Sequence, residues 1–194
     1  QGMPYFLSFT TAFPTVFDLA KANEEQVLKL WQGLGYYSRA RNLHQTAQFI
    51  VQKLDGKFPE TYAELLKLKG IGPYTAAAIA SFAFDEAVAV VDGNVYRVLA
   101  RVFGIETDIG STDGHKQFAQ LANQLISQNQ PATYNQAIME FGAVHCTPSS
   151  PDCLLCPLQA ECEANATGRV NQLPVKLKKT KVRERFFNYF VIVQ

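Results

Sequence analysis

The 194-residue chain has no apolar run near the roughly eighteen residues that a bilayer-spanning helix requires, and no signal-peptide pattern opens it. Charge of one sign is also missing: 18 Lys plus Arg stand against 17 Asp plus Glu, a formal net charge of +1. That excludes a polycationic coat for nucleic acid and leaves room for a local basic patch. Cysteine is scarce, four in all, too few for a disulfide scaffold of the small secreted kind. Apolar material is not scarce. Hydrophobic residues make up 47% and charged residues 18%, with 14 Phe and 8 Tyr, enough to offset ordering entropy and exclude disorder as the overall state. A start methionine is absent: Gln1 is followed by Pro4–Phe9, which reads as a helix already under way. Phe186–Gln194 reads as a strand just beginning, so both ends read as cut.

Helical periodicity dominates from residue 1 to about 145. Val27, Leu28, Leu30, Trp31 and Leu34 form one apolar stripe. Ser38–Leu54 predicts a helix with Ala40, Leu43, Ala47, Ile50, Val51 and Leu54 inward. Thr61 with Glu64 three residues on fits a capping box for a short helix over Tyr62–Leu68. Pro73–Phe84 follows, alanine-rich with proline at its first position. Further helices are expected over Gly93–Phe103, capped by Asp92, from Thr112 or Asp113 to near Ser127, and from Pro131 to about Val144. The short connections favour an all-α fold of antiparallel helix pairs. The divisions expected are a helical domain over 1–130 holding a hairpin at about 62–84, a helix plus cysteine loop over 131–170, a basic linker over 171–185, and a first strand of a β-type domain over 186–194.

The cysteines fall at Cys146, Cys153, Cys156 and Cys162, within a loop held by Pro148, Pro151 and Pro157. Four thiolates are soft ligands for iron or zinc, and spacing alone leaves zinc and an iron–sulfur cluster equally open. Two disulfides or four buried thiols are the plainer alternative. His145 is an ordinary neighbour.

Leu68-Lys69-Gly70-Ile71-Gly72-Pro73-Tyr74 joins two helices. The glycines permit a tight turn and close approach of backbone to a partner, and the unpaired N–H groups at the second helix's start suit phosphate. This is a helix–hairpin–helix signal for DNA-backbone recognition, against a plain loop between core helices. Ile71 reads as a core plug within it. Val91-Asp92-Gly93-Asn94 sets a carboxylate at a helix start. Capping is the bland role of Asp92; beside a phosphate-binding hairpin, a carboxylate aimed at a sugar is the sharper one. Asn94 is placed to orient it or a water. Gly33-Leu34-Gly35-Tyr36-Tyr37-Ser38-Arg39-Ala40-Arg41 can present a ring to a base stack, with Arg39 and Arg41 toward phosphates. At least one of Tyr36 and Tyr37 is expected in the core.

These segments resemble the helix–hairpin–helix DNA glycosylases of the endonuclease III superfamily, and within them the adenine DNA glycosylase branch, the MutY-like enzymes. The resemblance is carried by LWQGLGYYSRARNLH from Leu30, KFPETYAELLKLKGIGPYTAAAIASFAF from Lys57, VVDGNVYRVLARVFGI from Val90 and NQAIMEFGAVHC from Asn135. It implies an all-α helix–hairpin–helix glycosylase fold with a C-terminal four-cysteine iron–sulfur loop. It further implies a [4Fe–4S] cluster on Cys146, Cys153, Cys156 and Cys162, with zinc the alternative, and the strand at 186–194 opening a NUDIX-like domain that helps read 8-oxoguanine.

The resemblance also implies base excision repair of adenine opposite 8-oxoguanine or guanine in double-stranded DNA. Asp92, Asn94 and Tyr74 would form the catalytic set. Tyr36, Arg39, Arg41, Lys69, Gly70, Ile71, Gly72 and Tyr74 would meet DNA. Tyr74 falls where strand-cleaving relatives carry a Schiff-base lysine, which implies a monofunctional enzyme. Adenine would be flipped out before cleavage. The family's general-acid glutamate belongs upstream of Gln1, and Glu60, Glu64 and Glu140 do not replace it, so these 194 residues alone are expected to be slow or inactive. A monomer in the bacterial cytoplasm, at the nucleoid and away from membranes, is the matching setting. The rivals are an endonuclease III-like enzyme, a thymine-mismatch glycosylase, and a non-catalytic DNA-binding module.

Overall fold

The computed structural model describes residues 2–177 and Phe186. Residues 178–185 of the expected linker and 187–194 of the expected strand lie outside the described residues. The all-α expectation holds among the described residues: α1 (Met3–Ala12), α2 (Val16–Lys21), α3 (Glu24–Leu30), α4 (Tyr37–Lys53), α5 (Tyr62–Leu65), α6 (Pro73–Phe84), α7 (Gly93–Val102), α8 (Thr112–Leu125), α9 (Pro131–Val144) and α10 (Glu163–Ala166). None of these helices is long and apolar enough to cross a membrane.

Local chemistry explains the boundaries. Proline at the first turn starts α6 and α9, where a missing N–H costs nothing. Reciprocal capping boxes, Thr15 with Asp18 and Asn23 with Gln26, start α2 and α3. Thr61 accepts from the Glu64 amide at α5, but the return bond of a full box is not made; the Thr61 hydroxyl donates to the Glu64 carboxylate instead. The helix there ends at Leu65, short of the expected Leu68.

Three apolar clusters hold the helices. Leu19, Val27, Ala40 and Ala47 join α2, α3 and α4, with Phe9, Phe13 and Trp31 against them. Ile50, Leu65, Leu68, Ala76 and Ala80 join α4, α5 and α6. Val95, Leu99, Ala100, Phe118, Ala122 and Ala164 join α7, α8 and α10. In α4 the inward face is rotated slightly from expectation: Leu43 is exposed and His44 is buried in its stead. The His44 ring reaches the Ala22 carbonyl at 3.0 Å, a partner that lets a polar ring sit inside.

Residues 85–92 cross from α6 to α7, and two side chains of the second half clamp this extended link. Asn135 Oδ1 accepts from the Val90 amide at 3.0 Å, while its Nδ2 donates to Ser81 Oγ at 2.8 Å and the Val88 carbonyl at 3.0 Å. Asn123 Oδ1 accepts from the Ala89 amide at 2.9 Å. The link therefore delivers Asp92 to the start of α7 with its buried amides paired.

Candidate active site

The hairpin between α5 and α6 is anchored from inside. Ile71 packs on the Ile50–Leu65–Ala80 cluster, so its side chain is the core plug the pattern suggests. Thr46 Oγ1 of α4 donates to the Lys69 carbonyl at 2.9 Å. Gly70 takes φ +81, and a Cβ there would stand 2.6 Å from Cβ of Asn42. Gly72 differs: its φ is −91 and a Cβ would meet nothing within 4 Å. One glycine thus serves the turn, and the other leaves open space at the helix start. No side chain caps α6. Its first amides keep their donors for an outside acceptor at the positive end of the helix. Lys69 is exposed, and Tyr74, the second residue of α6, is 48% exposed.

Asp92 takes its capping role. Its Oδ1 accepts from the amides of Asn94 and Val95, each at 2.8 Å, and so caps α7. Its Oδ2 accepts from Asn94 Nδ2 at 3.1 Å. The carboxylate is half-buried and not sealed in apolar core. Asn94 is held in turn by Arg97, whose Nη2 donates to Asn94 Oδ1 at 2.8 Å. The same guanidinium donates to the carbonyls of Gly142 at 2.6 Å and Cys146 at 2.7 Å. Desolvation lowers the Arg97 pKa; the nearby Cys146 and Asp92 oppose that and Arg101 adds to it.

A cavity of about 480 Å³ lies between the two halves. Pro73, Tyr74 and Ala77 of α6 form one wall, Val88, Ala89 and Val91 of the link another, and Tyr96, His115 and Asn123 a third. The hairpin helix and the residue before Asp92 therefore share one recess. On its wall the Tyr96 hydroxyl lies 2.6 Å from His115 Nδ1. Burial raises the Tyr96 phenol above its ordinary value.

The aromatic turn before α4 departs from expectation in one respect. Tyr36 is 75% exposed, but Tyr37 is also exposed, at 41%, so neither ring enters the core. The cause is backbone: Gly33, Gly35 and Tyr36 take φ of +99, +72 and +48, which swings the chain outward before α4 begins. The Arg39 guanidinium sits over the Tyr36 ring, 5.0 Å from its centroid. Arg41 pairs with Glu24 at 3.0 Å on the surface.

The metal expectation is corrected. Cys146, Cys153, Cys156 and Cys162 are free thiols, which removes the disulfide alternative. They line one small cavity of about 20 Å³. Yet no group of three or more His, Cys, Asp or Glu side chains able to hold a metal ion occurs among the described residues. The residues do not fit a [4Fe–4S] cluster or zinc, and the iron–sulfur part of the expected fold falls with them. Two of the sulfurs are engaged elsewhere: Arg101 Nη1 donates to Cys146 Sγ at 3.4 Å, and Cys162 Sγ donates to the Arg101 carbonyl at 3.5 Å. Burial, with the neighbouring cysteines, pushes the Cys153 thiol up.

Sequence reasoning missed Arg97, Arg101, Asn123 and Asn135. Arg101 is buried and donates to the carbonyls of Leu173, Thr147 and Pro148. The signal was present: Arg97 and Arg101 stand four apart among Val95, Val98, Leu99 and Ala100, so cations share a helix with a buried apolar set.

A glycine hairpin with an uncapped helix start, followed by a half-buried carboxylate at the next helix, defines a helix–hairpin–helix arrangement. A family model described as "HhH-GPD superfamily base excision DNA repair protein" matches residues 2–128, and the chain belongs to that superfamily. The adenine DNA glycosylase of Rattus norvegicus is 47% identical over 175 residues, covering 88% of this chain and 34% of the relative. That of Buchnera aphidicola subsp. Schizaphis graminum is 35% identical over 193 residues, covering 100% of this chain and 55% of the relative. The chain thus spans about a third to a half of the length of these relatives. Among solved structures, a thermostable thymine-DNA glycosylase superposes with a TM-score of 0.78 at 27% identity, covering 86% of this chain and 76% of that one. A non-covalent endonuclease III–DNA complex gives 0.72 at 25%, covering 85% and 76%.

Proposed function

We propose that the chain carries out base excision on double-stranded DNA, hydrolysing the N-glycosidic bond of adenine mispaired with 8-oxoguanine or guanine. The observation that carries this is the shared recess: Tyr74 of the hairpin helix and Val91, the residue before Asp92 in the chain, line the same cavity. The similarity to adenine DNA glycosylases supports the choice of base.

The hairpin amides of Gly72 and Tyr74, with Lys69, grip backbone phosphates, and Gly70 and Ile71 shape the turn that offers them. Tyr36 enters the base stack with Arg39 against its ring, while Arg41 lies toward the backbone. An everted adenosine presents its sugar to Asp92, whose ionised carboxylate stabilises positive charge growing on the ring as the bond to the base breaks. Asn94 fixes the carboxylate's orientation. Tyr74 supplies no amine, so no Schiff base forms and the strand stays intact. Glu60, Glu64 and Glu140 are exposed, with Glu64 bonded to Thr61, and none serves as general acid. In a bacterial cell this activity belongs at the nucleoid, carried out by a single copy of the chain.

The test is a single-turnover assay with protein in excess over an 8-oxoguanine:adenine duplex. Wild-type chain is expected to bind and to release adenine, and Asp92→Asn to bind equally and release none. Asn keeps the cap, so the fold is preserved. Undiminished release by Asp92→Asn would overturn the reading. The thymine-DNA glycosylase fold keeps thymine as the second substrate to compare. A borohydride-trapped adduct would favour the endonuclease III-like rival.

A further inference from the structure

The exposed ring of Tyr36 is displayed by construction. A bulky residue at φ +48 is uncommon, because its side chain crowds its own backbone there. The turn is pinned from below, where Trp31 Nε1 donates to the Gly35 carbonyl at 3.0 Å, and from the far side, where the Arg39 amide donates to the Tyr36 carbonyl at 2.8 Å. An unsupported ring would fold down onto nearby apolar surface. Here the guanidinium of Arg39, three residues on, faces the ring at 5.0 Å. Arg39 makes no ion pair among the described residues, whereas Arg41 on the same helix is paired with Glu24. The first cation is left for the aromatic face and the second is neutralised.

We propose that Arg39 is a positioning residue that acts through Tyr36, its guanidinium holding the phenol ring erect for insertion between base pairs of duplex DNA. This rests on the DNA reading above. A planar cation stacks on one face of the ring by its quadrupole and leaves the other face to meet a base. The turn thus offers a ring already standing, and the entropy of fixing it is met before binding.

The test uses the full chain and a duplex with 2-aminopurine beside an 8-oxoguanine:adenine pair, whose emission rises when neighbouring bases unstack. Wild type is expected to raise the emission. Arg39→Met is expected to cut that gain at least threefold at saturating protein, Tyr36→Leu to abolish it, and the double variant to match Tyr36→Leu. Arg39→Gln carries the same expectation should the Met variant fail to fold. A plain phosphate contact would instead leave the saturated emission intact, and would weaken binding and lower the salt slope by about one in both backgrounds; that result would overturn the proposal. Binding with independent, additive effects of the two residues would overturn the proposal alone. Failure of wild type to bind duplex at all would overturn the DNA reading with it.

Discussion

Arg97 sets the amide of Asn94: its Nη2 donates to Asn94 Oδ1 at 2.8 Å, which turns Asn94 Nδ2 toward Asp92 Oδ2 at 3.1 Å. An amide with both ends committed has one orientation, so the carboxylate receives a fixed donor. The bond also ties the start of α7 to the end of α9, because the guanidinium reaches the Gly142 carbonyl as well.

Replacing Arg97 by Met should therefore unpair the Gly142 and Cys146 carbonyls and release Asn94. Each stranded buried group costs about 1–3 kcal/mol, so a loss near ~3 kcal/mol is expected in urea unfolding. Arg97→Lys should recover little, since one ammonium cannot reproduce the fork. Unchanged midpoints would contradict this account.

The hairpin glycines should part company on substitution. Gly70→Ala places a left-handed alanine against Asn42 and is expected to cost at least ~1–2 kcal/mol. Gly72→Ala, with open space and ordinary φ, should leave thermal stability within about 0.5 kcal/mol of wild type. Its added methyl stands where a phosphate would approach, so DNA affinity should fall. Equal thermal effects at the two positions would refute the distinction.

Asn135→Leu keeps the bulk and removes the bonds this side chain makes to Val90, Val88 and Ser81. Amide exchange at Val90 should accelerate well beyond that of α4, and unfolding stability should drop by about 3 kcal/mol. Hydrogen exchange read by mass spectrometry on peptides covering 85–92 checks it.

Alkaline pH should destabilise the fold through its tyrosines. Burial raises the folded-state pKa of Tyr96 and of Tyr134 above the ordinary 10.0. Between that value and the raised one, the folded state binds more protons than the unfolded chain, so stability is complete below pH 10.0 and falls as pH rises through the folded value. Tyr96→Phe should make the decline shallower. Denaturant midpoints measured across that range would show an unaltered slope if the phenol were not involved.

Much of this architecture was legible. Pro73 and Pro131 mark helix starts with a fixed φ and a dispensable N–H, and both helices run as the pattern reads, to Phe84 and Val144. Asp92 caps α7 as expected. The short helices α2 and α10 went unread, because six and four residues give periodicity little to register. Tyr37 misled because three left-handed residues in the preceding turn redirect the chain, and composition carries no trace of such a run beyond two glycines. The cysteines misled differently. Their spacing brings them around one small space, as expected, but spacing says nothing of where each sulfur finds its partner, and two find Arg101.

The link from α6 to α7 borrows its hydrogen bonds from side chains of α8 and α9. A single protease nick after Asp85 leaves the link with α7–α9, and the bonds from Asn135 to Ser81 and from the Tyr62 amide to Glu86 should keep the two pieces associated. Made separately, neither piece has what it needs: the first lacks Asn135 against Ser81 and the Glu86 carboxylate against the Tyr62 amide, and the second lacks those partners. Mixing them should restore a stoichiometric complex, so the molecule is a natural subject for split-protein reconstitution.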